Sequence, residues 1–260
     1  MSNATPGGIL AISIDLELDG RHCGLQDQAG LDQVASRLLE SLLRRGLAAT
    51  WAVADPAVSA ATDKLLAAPD QEIAILGDPA WVGASAGRNR FGRELERRVR
   101  QARASGISVT TLALRKVQLD AHLDLVVNNG VNVVRGPAPA VRRRNEFNQP
   151  QSLYSDLWLM PPSVALPRES LWWPGGGGFG AAARGLLSAA RRQEVFHLAI
   201  DGLALAARGR AALVGLERTL RTASRLRDAG CLEALTVAGV ARRFNERRRL
   251  AAAPQLRPAA

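Results

Sequence analysis

Apolar positions along the 260-residue chain recur with two periods. Short dense runs at 9–14, 47–53, 72–76, 107–114, 131–134, 156–160, 195–200 and 234–237 predict strands. Longer segments between them space their apolar residues as one face of a helix. In 31–45 these fall at 31, 34, 38, 39, 42 and 43, and Gly46 follows as a C-cap. Asp55-Pro56 is spelled like an N-cap with proline in the first turn and predicts a second helix. Segments 91–104, 119–128, 179–191 and 213–228 predict further helices, and a closing helix follows the last strand. Helix and strand alternating at this rate imply a parallel sheet wrapped by helices. Without a nucleotide fingerprint, the expected fold class is α/β, a distorted (β/α) barrel of about seven parallel strands. One domain over 1–250 and a mobile tail over 251–260 complete the expected organisation.

The first strand does not end neutrally. It runs into Asp15-Leu16-Glu17-Leu18-Asp19, so Asp15, Glu17 and Asp19 share one face if the extended conformation continues. Like charges so close resist burial and shift one another's proton affinity. The strand end is therefore a place for a metal, a general base or a cationic partner, and in barrels the working groups sit at carboxyl ends of strands.

Composition narrows the partners. The formal charge is +10, and only Lys64 and Lys116 are lysines among 34 basic residues. Arginine runs at 142–144, 191–192, 242–243 and 247–249 would attract polyanions, although solvated helix faces explain them more simply. Aromatic residues make up 4% of the chain, too few to suggest base-stacking platforms. Cys23 and Cys231 lack metal or redox spacing and read as free thiols. No apolar run is long enough to span a membrane, and the first residues lack the regions of a signal peptide, which predicts a cytoplasmic protein.

Six short motifs then occur in an order that resembles the polysaccharide deacetylase (NodB-homology) family. They are Ser13-Ile14-Asp15-Leu16-Glu17, Ala49-Thr50-Trp51-Ala52-Val53, Glu72-Ile73-Ala74-Ile75, Arg135-Gly136-Pro137, the glycine run before Phe179, and the strand Val195-Phe196-His197-Leu198-Ala199-Ile200-Asp201. The resemblance implies the barrel fold, Asp15 as general base, Arg135 as the residue that orients it, and Asp201 in the place of a general acid. It also implies a metal held by one acid and two histidines, which would polarise an acetamide carbonyl. The two histidine positions fall on Leu76 and Ala80, so no metal or other cofactor is expected. An oxygen-rich alternative of Asp15, Glu17, Asp19 and His22 would suit magnesium, manganese or calcium. His197, among apolar neighbours, reads as a packed core histidine.

The expected function is a catalytically impaired or non-catalytic deacetylase-like protein that keeps a cleft for a glycan or sugar-derived ligand. Glu17, Asp19, Trp172 and Trp173 are its candidate binding residues, and a protein partner is a further expectation. Two alternatives stay open. One is an active hydrolase of N-acetyl bonds with an unusual acid-rich metal site, and the other is an arginine-rich polyanion binder.

Overall fold

The computed structural model describes residues 7–17, 25–59, 61–83, 86–115, 119, 122–137, 149–154, 156–167 and 178–252. Its frame is one sheet. Strands β1 (Gly8–Leu16), β2 (Ala49–Val53), β3 (Gln71–Gly77), β4 (Thr111–Leu114) and β5 (Val133–Arg135) lie side by side, all parallel. Beyond β5 come β7 (Leu157–Leu159), parallel, and β6 (Gln151–Tyr154), antiparallel. On the other side of β1 lie β9 (Val195–Asp201) and β8 (Val164–Leu166), again parallel. The sheet curls into a distorted (β/α) barrel.

Strand β10 (Leu232–Leu235) shows where the distortion lies. It pairs with Gly8 to Ala11 of β1, whereas β2 pairs with Ser13 to Leu16 of the same strand. One edge of β1 is thus shared by two neighbours, β10 at its start and β2 at its end. The gap this opens at the base is closed by α9 (Val237–Ala252), whose Val237, Val240 and Ala241 pack with Ile9, Val133, Trp158 and Val195.

Alternation sorts the strand residues between two environments. From β1, Leu10, Ile12, Ile14 and Leu16 face outward into the main core beneath the helices. Ile9 and Ala11 face the lumen, and Ser13 and Asp15 continue that row. The helices bury one stripe each: α4 (Gly87–Ala104) turns Phe91, Leu95, Val99 and Ala102 inward, four positions spaced by three or four. In α1 (Leu25–Arg44), Leu31, Val34, Leu38 and Leu42 are buried as the pattern predicts, but Leu43 is exposed.

Several boundaries differ from expectation. Asp55-Pro56 opens a turn, because the Asp55 carboxylate accepts from Ala57 N and its carbonyl from Val58 N and Ser59 N, which uses up the capping groups locally. The helix there, α2 (Thr62–Leu66), starts six residues later. The fourth strand begins at Thr111 rather than 107, and α5 (Leu123–Asn128) begins after His122, whose positive φ of 65° breaks the helix on its N-terminal side. The helical segment expected over 213–228 lies within α8 (Gly209–Asp228), which begins four residues earlier, and a short helix that was not expected, α7 (Gly202–Ala207), precedes it after α6 (Gly178–Arg192) and β9. No helix among the described residues is long and apolar enough to cross a membrane.

Candidate functional site

Four charged side chains meet where the parallel strands end. Asp15, one residue before the end of β1, is buried and lies in register with Asp201 at the end of β9. Arg135, the last residue of β5, is buried as well, and its Nη2 donates to Asp15 Oδ1 at 2.8 Å. A charge-assisted bond of this kind offsets the cost of removing both ions from water, and either ion alone would be strongly destabilising there. The second carboxylate oxygen faces another guanidinium: Arg115, just beyond β4, places Nε 3.5 Å from Asp15 Oδ2 and Nη1 3.8 Å from Asp201 Oδ2. Asp201 also caps α7, accepting from Ala204 N through Oδ1 at 3.0 Å. Both oxygens of Asp201 therefore face donors.

A close backbone approach holds the two aspartates together. A Cβ on Gly202 would lie 2.8 Å from the carbonyl oxygen of Asp15, so only glycine lets the turn after Asp201 press against β1.

Glu17 follows the strand end, half-buried. Burial pushes its carboxyl above the usual range, with Asp78 and Asp15 adding to the shift and Arg115 and Arg98 opposing it. Beside it a cavity of about 570 Å³ opens, lined among others by Leu16, Glu17, Leu31, Asp32, Asp55 and Val58. Its size suits a small ligand. One layer deeper, Ser13 Oγ lies 2.9 Å from His197 Nε2. Burial, and then the charge of Arg135, push His197 down to about 3, so the ring is neutral and is a packed lumen residue.

The expected acid row is partly assembled. Asp15, Arg135 and Asp201 converge, and Glu17 stands beside them. Asp19, His22, Trp172 and Trp173 lie outside the described residues, as do Cys23 and the arginines of 142–144. Cys231 is an exposed free thiol. Elsewhere arginines pair with acids on the helix surface, as in Arg97 with Asp55 and Glu94, or Arg243 with Glu233. Arg115 is the residue that sequence reasoning missed. The signal was present, since Thr111, Ala113 and Arg115 continue one face of β4 past its end.

The donor set does not fit the metal that the resemblance implies. Leu76 faces the lumen, packed with Ala52, Ala74 and Ala113, and Ala80 is exposed on α3 (Pro79–Val82). Neither side chain can coordinate an ion. Both Asp15 oxygens are turned to guanidiniums, and among the described residues no three His, Cys, Asp or Glu side chains are grouped as ligands.

No protein-family model matches the chain, and no curated protein matches it. Solved structures do. A Mycobacterium smegmatis protein assigned as a polysaccharide deacetylase superposes with a TM-score of 0.68 at 13% identity, over 93% of this chain and 92% of that one. The 4-alpha-glucanotransferase of Thermococcus litoralis superposes with a TM-score of 0.57 at 14% identity, over 82% of this chain and 36% of the larger one.

Proposed function

We propose that this chain, which has the polysaccharide deacetylase fold, binds a carbohydrate at the carboxyl end of its barrel and does not carry out metal-dependent deacetylation. The observation that carries this reading is the apolar pair at the two histidine positions, since Asp15 itself is held as the resemblance implies: Oδ1 accepts from Arg135 and Oδ2 faces Arg115 at ion-pair distance. A general base needs a positioned, activated water as well as a free lone pair. The side chains at the two histidine positions, Leu76 and Ala80, leave nothing to polarise a carbonyl as a Lewis acid.

What supports binding is the pairing of a cavity with convergent polar groups. The cavity beside Glu17 has apolar walls from Leu16, Leu31 and Val58 and polar groups from Glu17, Asp32 and Asp55, a combination suited to the mixed faces of a sugar ring. The neighbouring solved structures with this fold include a protein assigned as a polysaccharide deacetylase and a glucanotransferase, both named for carbohydrate substrates. Fold alone does not assign a ligand, so the site geometry carries the weight.

The test has two arms on the full chain. N-acetylchitotetraose is expected to bind in the presence of EDTA, read by titration calorimetry. Acetate release from the same sugar is expected to stay at background with magnesium, manganese or zinc added. Metal-stimulated release of acetate that disappears in Asp15→Asn would sink the non-catalytic reading and establish the hydrolase instead.

A further inference from the structure

Among the described residues, Arg115 is the charged side chain with the most buried donors lacking an acceptor. Its Nε and Nη2 are shielded from solvent and have no hydrogen-bond partner among the described residues, and its approaches to Asp15 and Asp201, at 3.5 and 3.8 Å, are ion pairs too long for hydrogen bonds. Arg135 differs, with one short bond from Nη2 to Asp15 beside its unpartnered Nε. Buried donors in folded proteins almost always have an acceptor, so a guanidinium with two empty donors points to an acceptor that arrives from outside. The side chain is one-fifth exposed, so part of it reaches the mouth, and neither of its ion pairs is a hydrogen bond that turning the guanidinium toward a ligand would break.

The charge around it selects the chemistry of that acceptor. Two guanidiniums, Arg115 and Arg135, stand against two carboxylates, Asp15 and Asp201, with Glu17 adjacent. The group is already balanced, and an anion brought to Arg115 would meet Asp15, Asp201 and Glu17 at close range. A neutral oxygen meets no such repulsion. We propose that Arg115 is the specificity-determining residue of the mouth, donating from Nε and Nη2 to an uncharged carbonyl or hydroxyl oxygen of the bound sugar. This rests on the carbohydrate reading above and deepens it: the ligand is recognised through neutral acceptors, such as the carbonyl of an N-acyl group, rather than through a phosphate or carboxylate.

The experiment titrates wild type, Arg115→Ala and Arg115→Lys with N-acetylchitotetraose and, separately, with inorganic phosphate, all in EDTA. Wild type is expected to bind the sugar and not phosphate. Arg115→Ala is expected to bind at least tenfold more weakly, and Arg115→Lys to fall between, because an ammonium restores charge and donors but not the planar fork. Circular dichroism and melting curves check folding, and if Arg115→Ala does not fold, Arg115→Lys carries the comparison. Equal sugar affinity in the folded variants overturns the role of Arg115 and leaves the carbohydrate reading standing. Failure of wild type to bind the sugar overturns both. Phosphate binding that competes with the sugar and is lost in the variants overturns the assignment to a neutral ligand.

Discussion

The barrel holds a lumen carboxylate near each end, and the two are treated in opposite ways. At the base, Glu72 accepts from the Thr50 hydroxyl at 2.7 Å, from the Thr111 hydroxyl, and from Ala238 N at 3.0 Å. Thr50 in turn accepts from Val237 N at 2.8 Å, so the first turn of α9 is capped by residues from β2 and β3. Every partner there is neutral, fixed and short-range. At the mouth, Asp15 is met by two cations, and those cations keep three donors without acceptors. The base closes the fold; the mouth is left with bonding capacity that nothing in the described residues uses. A saturated polar network serves stability, and an unsaturated one costs stability that a ligand can return.

This contrast can be broken by substitution. The largest expected effect is from Arg135→Met, which leaves the buried Asp15 charge with only the loose contact to Arg115 and should cost about 3–5 kcal/mol in urea unfolding. A loss below about 1 kcal/mol would mean that the mouth pair is not the structural element described. Glu72→Ala removes the acceptor of two hydroxyls and a helix N–H. It should cost about 2–3 kcal/mol while leaving sugar affinity unchanged, and altered affinity would erase the distinction between the two ends.

Between the ends sits His197, whose neutral, buried ring sharpens the picture through pH. Its folded-state value of about 3 lies below the ordinary 6.5, so its contribution is complete above pH 6.5 and is lost as pH falls through that window toward 3. Stability should decline by about 1.4 kcal/mol per pH unit there, and His197→Gln should flatten the decline. Urea midpoints measured at several pH values for both proteins check this, and parallel curves would contradict it. The smallest effect is that of Glu17. Its raised value means that ionisation is disfavoured in the folded chain, so stability is lost as pH rises through the folded value. Glu17→Gln should therefore be more stable than wild type at pH 7 and equal to it near pH 4. A lower melting temperature at pH 7 would show that the carboxylate is held by bonds rather than penalised by burial.

Much of this was legible in the chain, and the reasons are physical. Strands buried on both faces announce themselves by apolar density, which is why β1, β2, β3 and β9 were found close to their observed bounds. Asp15, Arg135 and Asp201 converge in the fold, and the acid at the end of β1 together with the motif order points to those strand ends in the sequence. Local spelling failed where another local bond competed, as at Asp55, whose carboxylate and carbonyl close a turn instead of starting a helix. Arg115 escapes the sequence pattern because the apolar run of β4 ends at Leu114, one residue before the side chain that the strand's alternation sends to the mouth. In the sequence Glu72 reads only as part of a motif leading toward the site. Its partner Ala238 lies 166 residues away, and nothing in either segment signals that contact before the sheet curls.

The most direct test of the central claim observes the unsatisfied donors themselves. In a ¹H–¹⁵N spectrum of the arginine Nε–H region, with the Arg115 resonance assigned from its absence in Arg115→Lys, saturating N-acetylchitotetraose is added to wild type. The account predicts that the Arg115 signal shifts and its exchange with water slows, while the Thr50 and Ala238 amides at the base do not move. An Arg115 signal unmoved at saturation, or movement confined to the base, would contradict it.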